Sequence, residues 1–139
     1  MTIEQQKIKA LADFLQISKK EAAEELEQEN YIVLTDDEAN EKAADYIKDS
    51  LWAFNADFII AHCSNYDSMD CYEYHYAVEA LQEAQQKSCE SLNGLCRALI
   101  ADIDEFIQDA IFADGRGHFI AFYDGEEIEQ NGLFIYRQN

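Results

Sequence analysis

Apolar positions along this chain fall mostly at helical spacing. Ile3, Ile8, Leu11, Ala12 and Leu15 repeat near the 3.6-residue period and predict a helix over 3–16. Ser18 and Glu21 then stand three apart, the spacing at which a hydroxyl and a carboxylate close off a helix start, so a second helix is expected over 19–29. Thr35 and Glu38 repeat that pattern ahead of a helix over 36–54, with Ala39, Ala43, Tyr46, Ile47, Leu51 and Phe54 as its core stripe. Asn55 is placed to cap a short helix over 56–63. Residues 64–70, SNYDSMD, have turn-forming composition. Beyond them, Tyr74, Ala77, Val78, Leu81 and Ala84 predict a helix over 69–86. A last apolar stripe from Leu92 to Ile111 predicts a helix over 88–112, with a break near Gly94 or Ala101 and a left-handed stop at Gly115.

After Gly117 the period changes. HFIAFY and LFIYR are aromatic and β-branched, and they predict antiparallel strands over 118–123 and 133–137 across an acidic loop. A tighter alternative is a two-residue Asn131-Gly132 turn joining 127–130 to 133–136. YIVL at 31–34 is a candidate third strand. Both C-terminal strands are apolar on both faces, so helices should cover one side. The expectation is a single α+β domain over 1–139, mostly helical, closing in a C-terminal antiparallel β-hairpin.

Composition bounds this picture. The chain has 139 residues, 48% of them hydrophobic, with no proline and five glycines, which favours long helices over a many-turned β fold. Residues 2–20 have no basic start followed by an unbroken apolar stretch, and no run approaches the length of a membrane span. With four cysteines and no secretion signal, reduced thiols and a cytoplasmic setting are expected.

Charge changes the picture more. Net charge is −19, from 29 acidic and 10 basic residues. Four of the lysines (Lys7, Lys9, Lys19, Lys20) lie in the first twenty residues, so the rest of the chain is more acidic still. Such a surface repels nucleic acid and anionic lipid, and it attracts basic protein surfaces. LADFLQISKKEAAEEL superficially resembles a helix-turn-helix, but its second helix is too acidic to approach phosphate. The acids also recur in rows. Glu41, Asp45 and Asp49 repeat every four residues, following Glu38; Asp102, Glu105 and Asp109 form a comparable row. Like charges at that spacing oppose helix formation by a few tenths of a kcal/mol per pair, and lysines at some of these positions would serve solubility equally well. These seven residues are therefore the candidate partner-binding surface.

Other chemistry is weaker. His62, Cys63, Cys71 and His75 have residue types that suit zinc, and Cys71 and His75 stand four apart. No CxxC clamp is present, however, and Asp67, Asp70, Glu73 and Glu79 disfavour a thiolate nucleophile. Small thiols beside half-exposed rings are the expected reading, with no metal or cofactor. Cys89 and Cys96, seven apart, are expected on one helical face. Tyr72 and Tyr76 should face away from Tyr74, either as exposed anchors or packed under the C-terminal sheet. Asp114, Arg116 and His118 in DGRGH supply acid, base and imidazole and define an alternative, a small enzyme. A helix stop followed by a strand start accounts for every residue of that stretch except Arg116.

SLWAFNADFI (50–59) and ADGRGHFIAFYDGEEIEQNGLFIYRQN (113–139) resemble stretches of small acidic proteins of phages and other mobile elements. The resemblance covers about a third of the chain and includes no motif of known chemistry. It implies a phage-related protein of the bacterial cytoplasm. Acidic inhibitors of restriction or CRISPR enzymes, DNA mimics among them, are similar in size, charge and setting. The expected function is thus a non-enzymatic inhibitor of the DNA-mimic or anti-defence kind. Its expected partner is a basic surface on a nuclease, repressor or RNA-guided complex, with no direct binding to nucleic acid or membrane. The alternative is a mobile-element adaptor that is acidic for solubility only.

Overall fold

The computed structural model describes residues 1–139. In chain order the elements are α1 (Ile3–Leu15), α2 (Lys19–Glu27), β1 (Tyr31–Leu34), α3 (Asp36–Asp49), α4 (Ala56–Ala61), α5 (Cys71–Ser88), α6 (Asn93–Leu99), α7 (Ile103–Asp114), α8 (Arg116–Ile120), β2 (Ile128–Gln130) and β3 (Leu133–Arg137). Short 3₁₀ turns lie at 51–53, 66–68 and 89–92. The class is α+β, mainly helical, with one antiparallel sheet in the order β1-β3-β2. The chain divides into two compact units, Met1–Ala44 with Ala113–Asn139, and Asp45–Phe112.

The first unit is built on the sheet. Asn131 and Gly132 both have positive φ, 56° and 76°, the requirement of the tight turn whose twist matches a hairpin. That turn sets Gln130 opposite Leu133, and β1 pairs along the other edge of β3 with Val33 opposite Ile135. Alternation then decides the faces. Leu133, Ile135 and Val33 join Ala10, Leu11, Ala12 and Ala22 in a buried cluster under α1 and α2. Phe134 and Tyr136 point to the other face, where the Arg116 guanidinium lies 4.6 Å from the Phe134 ring centre.

The hairpin therefore takes the tighter of the two expected forms, and the strand expected over 118–123 is not formed. HFIAFY instead follows Gly115 into α8 and a turn. Gly115 has φ 84° and ψ 152°, a conformation open to glycine that ends α7 and restarts the chain as helix. Gly117 then sits against the acidic loop so closely that an added Cβ would lie 2.4 Å from the Gly125 carbonyl oxygen. A short apolar run is buried equally well as strand or helix, and here the glycines and the loop contact select the helix.

The second unit is helical. Its core contains Ile47, Leu51, Ile59, Ile60, Cys96, Ile100 and Phe106. Two amides join its segments. Asn93 donates from Nδ2 to Lys48 O at 2.7 Å and accepts from Trp52 N at 3.1 Å. Gln85 donates from Nε2 to Trp52 O and Phe54 O, at 3.0 and 2.6 Å. The helix expected over 36–54 ends at Asp49 and continues as the 3₁₀ turn. Asn55 stands at the start of α4 but makes no capping side-chain bond; Asp57 Oδ1 accepts from Phe58 N instead.

The helix expected over 88–112 is interrupted. Cys89 has φ 46°, which ends α5, and Ile100 is extended, which separates α6 from α7 next to Ala101. Gly94 lies within α6 and breaks nothing. Cys89 and Cys96 consequently do not share one helix: Cys89 is exposed and Cys96 is buried.

Candidate functional site

The start of α3 is fixed by a reciprocal cap. Thr35 N donates to Glu38 Oε1 at 2.9 Å, and Glu38 N donates to Thr35 Oγ1 at 3.2 Å. The Glu38 carboxylate also holds Lys7 Nζ at 3.0 Å. The Thr35 amide first, and Lys7 after it, keep its pKa below the ordinary carboxylate value. From there Ala39, Ala43 and Ile47 form the buried row of the helix. Glu41, Asp45 and Asp49 are each offset by two residues, about 200° around the axis, so their carboxylates face water. None of the three makes a side-chain hydrogen bond or ion pair. Glu38, though on the same helix, is engaged in folding; the other three are not.

The α7 row divides in the same way. Asp102 Oδ1 accepts from the amides of Asp104 and Glu105, at 3.1 and 3.2 Å, and so caps the helix. Asp109 Oδ2 lies 2.8 Å from His62 Nε2. Only Glu105 of this row has an exposed carboxylate without a partner.

The histidines and cysteines of 62–75 do not converge. No group of three or more His, Cys, Asp or Glu side chains is placed to hold a metal ion. His62 is mostly buried, its ring 4.8 Å from that of Phe58 and 5.0 Å from that of Phe106. Its Nδ1 is 2.8 Å from Phe58 O, a pure acceptor, so Nδ1 carries hydrogen and donates. Cys63 directs its thiol at Ile59 O, and burial pushes its pKa up, as it does that of Cys96. Cys71 and His75 open α5 on its exposed side.

Arg116 explains itself as a fold residue. Its side chain is only 11% exposed. Nη1 donates to Asp36 Oδ1 at 2.7 Å and to Asn40 Oδ1 at 3.0 Å, and Nε donates to Glu127 Oε1 at 2.8 Å. The buried Tyr136 hydroxyl donates to the same Glu127 oxygen. Its desolvation, and next that bond, raise the phenol pKa well above its ordinary value. Asp114 and His118 stand exposed on either side, and no hydrogen bond or ion pair joins either to Arg116. The three residues are not brought together as a catalytic set.

Tyr72 and Tyr76 are 87% and 76% exposed on α5, so they do not pack under the sheet. The opposite side of α5 carries Tyr74 and Val78 into a cleft of about 920 Å³ that Trp52 and Phe54 also line. The core side of α5 is the one the sequence predicts, Tyr74, Ala77, Val78, Leu81 and Ala84, with Tyr72 and Tyr76 facing away from it; of the two expected settings for those tyrosines, exposure is the one found.

No known family, curated protein or solved structure matches this chain.

Proposed function

We propose that this chain is a non-enzymatic acidic binding protein that occupies a basic, nucleic-acid-binding surface of a partner, as a DNA mimic or anti-defence inhibitor does. The observation that carries the reading is the α3 row: Glu41, Asp45 and Asp49, exposed opposite a buried row and without intramolecular partners. A residue row at every fourth position places charges about 6 Å apart. Phosphates on one DNA strand rise about 3.4 Å each, so the row is dense enough for a phosphate-binding groove without matching it one to one. The fitting partner is a nuclease, repressor or RNA-guided complex of a bacterial cytoplasm. That setting agrees with the phage-like stretches, and no helix here is long and apolar enough to cross a membrane.

The test uses purified DNA-binding proteins of those three kinds, presented to the immobilised chain and to its E41Q/D45N/D49N variant. Capture by the wild type that falls steeply with salt, is displaced by duplex DNA and is lost in the folded variant is the expected result. Capture insensitive to salt and DNA, or unchanged in the variant, overturns it.

A second reading draws support from Tyr72 and Tyr76, whose exposure suits an adaptor held by aromatic contacts. Such an adaptor would bind with little dependence on salt.

A further inference from the structure

The outer side of α5 carries chemistry that the acidic rows do not account for. Tyr72, Tyr76, Glu79 and Glu83 stand at i, i+4, i+7 and i+11, one stripe about 16 Å long, directly opposite Tyr74, Ala77, Val78 and Leu81 on the inner side. All four members are exposed. Neither glutamate makes a side-chain bond, in contrast to Glu73, whose Oε1 accepts from Asp70 N in the helix cap. Beside the stripe is a hollow of about 380 Å³ that Tyr76, Glu79 and Glu83 line together with Gln82 and Gln86.

The ring faces of tyrosine are electron-rich, and two of them stand here in water next to unneutralised carboxylates. The complementary group is a cation that tolerates stacking. Arginine meets that description: its planar guanidinium lies on an aromatic face while its N–H groups reach a carboxylate. Lysine's ammonium is a compact and more strongly hydrated charge, and it gains less from the rings. Charge also excludes other occupants. A second copy of this chain carries −19 as well, and nucleic acid and anionic lipid share its sign. The only lysine or arginine of α5 is Lys87, at its last turn; His75 lies beside the stripe, three residues from Tyr72 and four from Glu79.

We infer that the Tyr72–Tyr76–Glu79–Glu83 stripe docks an arginine-bearing segment of a partner protein. This rests on the proposed reading in so far as the partner is basic, and it adds a surface separate from the α3 row.

The probe is an alanine-rich helical peptide with arginine at every fourth position, titrated into the isotopically labelled chain at about 0.15 M salt, beside its lysine counterpart. The expected result has several parts. Resonances of Tyr72, Tyr76 and Glu83 shift first, and Y72A/Y76A weakens the arginine peptide at least tenfold. Y72F/Y76F retains it within about twofold, because the ring face and not the hydroxyl is the contact. The lysine peptide binds at least threefold more weakly. Equal affinity for the two peptides, full retention by Y72A/Y76A, or dimerisation of the free chain that Y72A/Y76A abolishes overturns the inference. The variant E41Q/D45N/D49N separates the two proposals. If it alone loses the DNA-binding partner while Y72A/Y76A keeps both partner and peptide, the α5 docking fails and the α3 reading stands. If Y72A/Y76A alone loses both, the converse holds.

Discussion

Two carboxylates of α3, Asp36 and Glu41, lie five residues apart and have opposite fates. Asp36 meets Arg116, which also holds Asn40 and Glu127 and stacks over Phe134, so its charge has a fixed cationic partner within the fold. Glu41 opens the outward row and meets water. The net charge does not distinguish them; the neighbour does. A carboxylate with a fixed cation or amide is part of the architecture, and removing it should weaken the fold. A carboxylate without one adds repulsion, and its removal should relieve the fold while removing whatever it recognises.

The Arg116 knot tests the first half of that contrast most strongly. Arg116→Ala leaves Glu127 and Asp36 without their cation and Phe134 without its cover. Asp36 is two-thirds exposed, so water compensates part of the loss. A destabilisation of about 2–3 kcal/mol is expected by urea unfolding, at the lower edge of what a broken buried ion pair costs. Arg116→Lys should recover little of it, because one ammonium cannot serve Asp36 and Glu127 from the two ends of a planar fork.

Gly117→Ala probes the same region through shape alone. The new methyl would meet the backbone of Gly125, Glu126 and Glu127, and backbone there cannot move aside as a flexible side-chain tip would. An overpacking cost of about 2 kcal/mol is expected. The displaced Glu127 should also lose its grip on Arg116. The double variant with Arg116→Ala should therefore fall short of the sum of the two single effects, measured by the same unfolding curves.

These residues also mark how far the sequence could be read. The helices over the first part of the chain were legible because their stripes and caps are local: Thr35 with Glu38, and Ser18 with the Glu21 amide, both close as the spacing implies. The Asn131-Gly132 turn was legible as one of two hairpins, and backbone conformation chose it. HFIAFY has the composition of a strand, yet it folds as helix and turn because its fate depends on Gly117 meeting a loop eight residues away. The role of Arg116 was invisible for the same reason, since Asp36 lies 80 residues from it in sequence. The acidic rows were legible as rows, but their internal division was not. That Asp109 answers His62 across 47 residues, while Glu105 answers nothing, is a tertiary fact.

Tyr136→Phe sharpens the comparison within the knot. The variant removes only the hydroxyl that donates to Glu127, and a loss of about 1 kcal/mol is expected at neutral pH. The pH dependence is more telling. The folded-state pKa of Tyr136 is raised, chiefly by burial, above the ordinary tyrosine value near 10. Below pH 10 the stabilisation is fully present. Above it the unfolded chain releases the proton while the folded chain keeps it, so stability falls as pH rises. Unfolding curves between pH 8 and 11.5 should show this alkaline decline in the wild type and a shallower one in Tyr136→Phe.

The smallest expected effect is the one whose sign matters most. E41Q/D45N/D49N removes two like-charge pairs at i, i+4 and, at Asp49, a negative charge from the last turn of α3, where the helix dipole disfavours it. Stability should rise by about 0.5 kcal/mol, a Tm increase of roughly 2 °C at low salt that shrinks as salt is added. D36N, on the same helix, should do the reverse. It removes a first-turn acid that the dipole favours and the partner of Arg116, and about 0.5–1 kcal/mol should be lost. Opposite signs from carboxylates five residues apart would mean that the outward row weakens the fold it sits on, which is what a surface kept for recognition predicts. Equal signs would mean that the row contributes to the fold after all, and that its exposure carries no message about a partner.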